Sequence, residues 1–185
     1  LFLICGATGS GKSTTIASLI RDIQLREHKV IVTIERPIEA IYPDDGLATV
    51  LQRSVSDDVL TFENGLTAAM RQNPDIIVIG EVRNRAEVSE LIRAAETGHL
   101  SISTMHTNSV ATTINRIMSL FDSTDKGRIM NTLSDTLRGI ANQVLVKGVD
   151  GNRFAVREIL TINDEIKSLI ANGDSEGVRQ YQRRN

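Results

Sequence analysis

The segment Gly6-Ala7-Thr8-Gly9-Ser10-Gly11-Lys12-Ser13 is the most informative part of this chain for its fold. An apolar run, residues 1–5, precedes it, and a segment with helical spacing of its apolar residues follows it over 13–27. The spacing G-x-x-x-x-G-K-[ST] between a strand and a helix predicts a phosphate-binding loop, because glycines let the backbone N–H groups turn inward at a helix N-terminus. The alternative is a glycine-rich turn without a ligand, and the two flanking segments favour the loop.

The loop also predicts how a nucleoside triphosphate and Mg²⁺ would be held. Lys12 would reach the β- and γ-phosphates, Ser13 would place its hydroxyl on Mg²⁺, and Thr14 could reach the α-phosphate. The predicted nucleotide-binding residues are Gly6, Ala7, Thr8, Gly9, Ser10, Gly11, Lys12, Ser13 and Thr14.

Length, charge and cysteine content indicate a globular domain and argue against a nucleic-acid-binding, membrane-spanning or disulfide-bonded protein. A chain of 185 residues is long enough for one domain with a core, and its net charge of -2 gives no basic footprint for nucleic acid. No apolar run approaches the ~18 residues of a membrane span, and no signal peptide is evident. Cys5 is the single cysteine, which excludes an internal disulfide and makes a reduced, cytoplasmic setting the default. The chain starts inside a strand, so we expect it to be a domain excised from a longer protein.

Strand and helix patterns alternate along the chain. Strands are predicted over residues 29–35, 47–55, 75–80 and 99–106, and helices over 61–72, 84–97, 110–121 and 126–143. Asp150-Gly151 indicates a hairpin between 144–147 and 154–160, and two terminal helices follow. The pattern predicts an α/β fold, a mostly parallel sheet wrapped by helices with a C-terminal antiparallel hairpin. We expect a single domain with a nucleotide-binding core over 1–143 and the hairpin and helices over 144–185.

Acids and histidines follow the predicted strand ends. Ligands bind at the carboxyl ends of strands in an open α/β sheet, so we expect Glu35, Glu81 and His106 to converge on the phosphates. Phosphoryl transfer to water needs a metal holder and a base that orients water, and Glu35 and Glu81 are the available carboxylates. Structural explanations stay open: Glu81 could cap the next helix, Glu35 could be a solvated loop charge, and His99 follows a helix C-terminus, where the dipole favours it.

Together these segments resemble the secretion-superfamily ATPases, the hexameric motors of type IV pili, type II secretion and related type IV transport systems. The resembling motifs are the Walker A loop at residues 6–13, the Asp box at 33–39, the Walker B segment at 70–83 and the His box at 94–108. Residues 133–140 and 156–160 are similar to later core segments of the family. The resemblance implies a RecA-like P-loop domain that hydrolyses ATP with Mg²⁺.

The resemblance also implies roles for individual residues. Glu35 is the candidate general base for the attacking water, Glu81 would act on Mg²⁺ or its water shell, and Lys12 would serve both binding and catalysis. His99 and His106 would sense or contact the γ-phosphate. Further residues that would support the site or a subunit contact are Arg71 and Arg83.

Family resemblance further implies an assembly. The full-length protein would be a homo-hexameric ring with nucleotide between subunits, docked on an inner-membrane platform protein from the cytoplasmic side. Its trans-acting arginines would come from an N-terminal domain outside this chain, so the isolated fragment should bind nucleotide better than it hydrolyses it. Nucleic acid is not an expected partner.

Two departures from the family pattern matter. Arg36 stands where the family usually has Asp, and the cation beside Glu35 would favour the ionised carboxylate and weaken it as a base. The chain has no second cysteine for the four-cysteine zinc insertion of the assembly branch, which moves the resemblance towards retraction-type pilus ATPases. Two alternative functions stay open: a nucleic-acid-translocating P-loop ATPase, and a nucleotide-binding ring subunit with impaired hydrolysis.

Overall fold

A computed structural model describes residues 1–184 of the chain as seven strands and seven helices. The strands are β1 (Phe2–Cys5), β2 (Val30–Glu35), β3 (Thr49–Ser54), β4 (Ile76–Ile79), β5 (Leu100–Met105), β6 (Gly139–Lys147) and β7 (Arg153–Thr161). The helices are α1 (Lys12–Arg26), α2 (Phe62–Met70), α3 (Arg85–Glu96), α4 (Val110–Ser119), α5 (Ser123–Thr136), α6 (Asp164–Ala171) and α7 (Ser175–Arg184). They form a mostly parallel α/β fold, as predicted.

Two compact units make up the fold, and the first spans Ser13–Thr104. Its strands lie in the order β3-β2-β4-β5 and every pair is parallel, with Ile34 of β2 beside Ile79 of β4. Strands β2 and β4 are apolar along most of their length because helices and neighbouring strands exclude water from both faces. Helix α2 packs on this sheet, with Leu66 fully buried.

The second unit combines Leu1–Lys12 with residues 105–184. Strand β6 lies between β1, to which it is parallel, and β7, to which it is antiparallel. The antiparallel pairing of β6 with β7 confirms the predicted hairpin, and its turn contains Gly151 at φ +82°, a left-handed conformation that suits glycine. Helix α5 packs on α6, and α4 packs on α7.

Side-chain caps mark the N-termini of three helices. The side chains of Thr61, Asn84 and Asn163 accept hydrogen bonds from the third residue of α2, α3 and α6, and Asn84 with Glu87 forms a capping box. Among residues 1–184, no helix is both long and apolar enough to cross a membrane.

The predicted helix over 126–143 was wrong at its C-terminal end. Helix α5 ends at Thr136, and the chain enters β6 at Gly139, which pairs with Phe2 of β1 and Thr161 of β7. A Cβ at Gly139 would lie 2.7 Å from the Phe2 ring, so this glycine permits close approach of strands that are distant in sequence. Tertiary pairing therefore overrides the local helical pattern of 139–143. The division of a single domain at residue 143 stays a prediction.

Candidate functional site

The loop between β1 and α1 owes its shape to three glycines with positive φ. Gly6, Gly9 and Gly11 have φ of +145°, +76° and +84°, values that residues with a Cβ rarely adopt. A Cβ on Gly6 would lie 2.3 Å from the carbonyl oxygen of Gln143, whereas one on Gly9 would meet nothing within 4 Å. The motif therefore demands glycine for backbone conformation at all three positions, and for close packing at Gly6.

Lys12 is folded back onto this loop. Its ammonium donates hydrogen bonds to the carbonyl oxygens of Gly6, at 2.8 Å, and Ala7, at 3.0 Å, and the residue is only 7% exposed. The Ser10 hydroxyl is buried, and no partner for it is found within residues 1–184. The arrangement gives the loop a fixed positive charge and one available hydroxyl donor.

Helix α1 begins at Lys12, immediately after the loop. Ser13 and Thr14 are exposed in its first turn, and that turn contains no acidic residue. The partial positive charge of the helix N-terminus is therefore not offset by a carboxylate of its own turn, which favours an anion there.

His106 contacts the loop on the β5 side. The Gly6 amide donates to the Met105 carbonyl at 3.2 Å, and Thr8 Oγ1 lies 3.4 Å from His106 Nδ1. The imidazole is exposed. The structure thus brings His106 together with the loop that the sequence predicts to bind phosphate.

Two residues that the sequence reasoning missed also contact the loop. Gln143 of β6 donates from Nε2 to the Ser10 carbonyl at 2.6 Å, and Arg157 of β7 donates from Nε to Gln143 Oε1 at 2.8 Å. The helix predicted over 126–143 includes Gln143 and therefore gives no indication that this residue lies beside the loop. The only sequence signal was the hairpin, which places residues 143 and 157 opposite each other.

Glu35 ends β2 and is held by side chains of its own sheet. Thr33 Oγ1 donates to Glu35 Oε1 at 2.6 Å, and Gln52 Nε2 donates to the same oxygen at 3.3 Å. Gln52 also donates to the Ala40 carbonyl at 2.7 Å, which anchors its amide. Glu35 is therefore an oriented, half-buried carboxylate and not a freely solvated loop charge.

Tyr42 and Arg36 complete the surroundings of Glu35. Burial, with a smaller contribution from the Glu35 carboxylate, raises the pKa of Tyr42 to about 12. The Arg36 guanidinium lies over the ring of Phe62, with Cζ 5.2 Å from the ring centroid. The expected weakening of Glu35 by Arg36 stays a prediction.

Glu81 follows the end of β4, the strand next to β2. The Gly80 amide donates to the Ile34 carbonyl at 2.8 Å, so Glu35 and Glu81 lie at the same edge of their sheet. Glu81 pairs with Arg83 at 2.5 Å. The cap of α3 is instead formed by Asn84 and Glu87, which removes helix capping as an explanation for Glu81.

His99 lies at the opposite edge, where β5 begins. Its Nδ1 is 3.0 Å from Thr97 Oγ1 and 3.1 Å from the Ala94 carbonyl, so the ring closes the C-terminus of α3. It lines a cavity of about 430 Å³ together with Lys29 and Asp75, which precede β2 and β4. The structure therefore does not bring His99 together with Glu35 and Glu81, and its contact with a γ-phosphate stays a prediction.

The two arginines to which the family resemblance gives a supporting role, Arg71 and Arg83, both lie at the surface. Arg71 is the exposed C-cap residue of α2, and Arg83 is exposed apart from its pair with Glu81. Roles for Arg71 and Arg83 in a subunit contact stay predictions.

Comparison with known protein families gives a match over most of the chain. Residues 1–152 match the family described as type II/IV secretion system protein. The "Type IV pilus retractation ATPase PilT" of Pseudomonas aeruginosa is 39% identical over 170 residues, which cover 92% of this chain and 49% of that protein. The type IV pilus ATPase PilU of the same organism is 37% identical over 185 residues, which cover 100% of this chain and 48% of that protein.

Solved structures show the same fold. The pilus retraction motor PilT with bound ADP superposes with a TM-score of 0.94 at 39% identity, covering 100% of this chain and 53% of that one. The Legionella pneumophila ATPase DotB superposes with a TM-score of 0.93 at 33% identity, covering 98% of this chain and 52% of that one. The chain spans about half the length of the relatives that it matches.

Proposed function

Because the chain belongs to the family of type II/IV secretion system proteins, we propose that it is the ATP-hydrolysing motor domain of a ring that powers type IV pilus dynamics or type II/IV secretion. The observation that carries the proposal is the loop of residues 6–13, with its left-handed glycines and inward-folded Lys12. Relatives named as pilus ATPases, PilT and PilU, support it. The absent second cysteine favours the retraction type within the family.

ATP is the nucleotide that we assign to this loop. Lys12 supplies the charge for the β- and γ-phosphates, and the N-terminus of α1 favours an anion beside Thr14. The buried Ser10 hydroxyl can donate to a phosphate oxygen, and the open space beside Gly9 leaves room for the ligand to approach the backbone. The ADP in the related PilT structure supports an adenine nucleotide.

Mg²⁺ would bind together with the nucleotide. Within residues 1–184, no three His, Cys, Asp or Glu side chains are grouped so that they could hold a metal ion. Mg²⁺ is commonly bound through one or two protein groups, phosphate oxygens and water, so Ser13 and Glu81 are sufficient ligands or water holders. Mg²⁺ would neutralise charge on the phosphates during cleavage.

Glu35 is the residue to which we assign proton transfer. Both of its donors, Thr33 and Gln52, bind Oε1, so we assign Oε2 to accept the proton of the attacking water. The water oxygen then bonds to the γ-phosphorus while the bond to the β–γ bridging oxygen breaks, giving ADP and phosphate. Lys12 would stabilise the negative charge that develops on the transferred group.

We also propose roles for the two histidines and a ring assembly for the full-length protein. His106, beside Thr8, would contact the γ-phosphate. His99, at the edge of its sheet opposite Glu35 and Glu81, would respond to the γ-phosphate without contacting it. We propose that the full-length protein is a homo-hexamer on the cytoplasmic side of the inner membrane, bound to the platform protein of the machine. Arg71 and Arg83 would support the site or the contact between subunits.

Phosphate release from ATP by the full-length protein tests this function. We expect Mg²⁺-dependent release that EDTA abolishes and that added DNA leaves unchanged. Nucleotide binding without release would favour the ring subunit with impaired hydrolysis. Stimulation by DNA, with binding that weakens steeply as salt increases, would favour the nucleic-acid translocase instead.

A further inference from the structure

Gln143 runs along the phosphate loop from its first to its third glycine. A Cβ on Gly6 would clash with the main-chain carbonyl oxygen of Gln143. A Cβ on Gly11 would lie 3.0 Å from Nε2 of the Gln143 side chain. Between these contacts, Nε2 donates to the Ser10 carbonyl at 2.6 Å. Gln143 is 1% exposed, so water does not compete for these hydrogen bonds.

Arg157 determines which way the Gln143 amide points. A guanidinium only donates hydrogen bonds, so the Gln143 atom that faces Arg157 Nε must be the oxygen. The Ser10 carbonyl only accepts, so the atom that faces it must be the Gln143 nitrogen. A single amide orientation satisfies both neighbours, and the cation of Arg157 strengthens the bond that fixes it.

The orientation of the Ser10 carbonyl sets the direction of the Gly11 N–H, which belongs to the same peptide group. The peptide group between Ser10 and Gly11 is planar and trans, so its C=O and N–H point in opposite directions. Holding the Ser10 oxygen against Gln143 therefore directs the Gly11 N–H away from β6. Backbone N–H groups are the donors with which such loops bind phosphate.

We propose that Gln143 and Arg157 are positioning residues of the phosphate loop. Arg157 orients the Gln143 amide, and Gln143 holds the Ser10–Gly11 peptide in the orientation that presents the Gly11 N–H to a phosphate. The inference rests on the proposed function because it assigns this loop to ATP. We assign neither residue a contact with the nucleotide.

The test combines ATP affinity with hydrogen exchange of the loop. The variants are Gln143→Leu, Gln143→Glu, Arg157→Gln and the Gln143→Leu/Arg157→Gln double variant, with Arg153→Gln, exposed on the same strand, as control. Affinity is measured by titration with MgATP, and exchange is measured by mass spectrometry on the nucleotide-free chain. Thermal unfolding of each variant separates a local effect from a loss of fold.

We expect Gln143→Leu to weaken MgATP binding about tenfold, because the buried Ser10 carbonyl loses its donor. Arg157→Gln should weaken it about threefold, and the double variant should be no weaker than Gln143→Leu, since Arg157 acts through Gln143. Gln143→Glu keeps the pairing with Arg157 but sets an acceptor against the Ser10 carbonyl, so it should lose affinity at least as much as Gln143→Leu does, and its unfolding temperature should fall because the two facing acceptors are buried. Arg153→Gln should bind as the wild type does.

Hydrogen exchange separates failure of this inference from failure of the proposed function. Faster exchange of the loop peptide in Gln143→Leu, without ATP binding by the wild type, would support the positioning role and contradict the ATPase proposal. Normal ATP binding together with unchanged loop exchange in the Gln143 variants would overturn the positioning role alone. Additive losses in the double variant would also overturn it, because Arg157 would then act independently.

Discussion

The phosphate loop and the surroundings of Glu35 are built on different principles. In the loop, Lys12 and Gln143 bind main-chain carbonyl groups, and glycines permit the backbone conformations with positive φ. Around Glu35, side chains bind a side chain: Thr33 from the same strand and Gln52 from the neighbouring strand. The loop therefore depends mainly on backbone conformation, whereas the carboxylate depends on strand register.

The two kinds of contact suit two different tasks, phosphate binding at the loop and proton transfer at Glu35. A site made of main-chain groups has few rotatable bonds and suits tight binding of a fixed ligand group, the phosphate. A carboxylate held at one oxygen by neighbouring side chains retains a second oxygen for proton transfer. Substitutions in the two regions should accordingly affect binding and cleavage separately, and the following predictions test that separation.

Glu35→Gln should have the largest effect. It preserves the shape and the acceptor for Thr33 but removes the base, so we expect kcat for ATP hydrolysis to fall about 1,000-fold. Affinity for MgATP should stay within about twofold of the wild type, because binding resides in the loop. Steady-state phosphate release and nucleotide titration of the full-length protein measure the two effects, with exposed Glu27→Gln as the matched control. Equal losses in binding and turnover would contradict the separation of nucleotide binding from cleavage.

Lys12→Ala should mainly lower the affinity for the nucleotide. Charge-assisted hydrogen bonds to phosphate are lost, so we expect MgATP affinity to fall about 100-fold. Titration of a fluorescent ATP analogue measures this loss, and Lys147→Ala, an exposed lysine at the end of β6, is the control. Unchanged affinity in Lys12→Ala would mean that the loop does not hold the triphosphate.

Substitution of the loop glycines tests how strongly close packing at Gly6 adds to the requirement for positive φ. Gly6→Ala would combine a left-handed φ with a Cβ 2.3 Å from the Gln143 carbonyl oxygen, whereas Gly9→Ala has only the unfavourable φ. We expect Gly6→Ala to lower the free energy of unfolding by about 2 kcal/mol more than Gly9→Ala does. Denaturant unfolding of the nucleotide-free chain measures both, and equal losses would show that close packing at Gly6 is unimportant.

Gln52→Leu should have the smallest effect and should appear only in turnover. Losing one of the two donors to Oε1 loosens the orientation of Glu35, so we expect kcat to fall about tenfold with MgATP affinity unchanged. Thr49→Val, at an exposed position of the same strand, is the control. A fall in affinity with normal kcat would place Gln52 among the binding residues.

The sequence predicted the parts of the molecule that local rules determine. The loop, the strands β2 and β4 and the hairpin all follow from short spacings or turn residues. The likeness to PilT and DotB structures confirms the fold that those patterns indicated. Strand order was not predicted, because it depends on pairings between distant segments.

Parts of the candidate site were beyond the reach of the sequence for the same reason. Ser10 and Gln143 are separated by 133 positions, and the local pattern assigned Gln143 to a helix. Gln52 meets Glu35 only because β3 pairs with β2 in a register that sets Gln52 beside Thr33. His99 was grouped with the catalytic residues by motif, and only the strand direction revealed that it lies at the amino edge of its sheet.

Backbone amide spectra would show whether ATP binds at the phosphate loop. We propose recording ¹H–¹⁵N spectra of the 185-residue chain during titration with Mg²⁺ and a non-hydrolysable ATP analogue. The largest shifts should fall on the amides of Gly9, Gly11 and Lys12, because these N–H groups would bind the phosphates. Saturable binding with the largest shifts outside residues 6–14, or no binding at all, would contradict the assignment of this loop to the nucleotide.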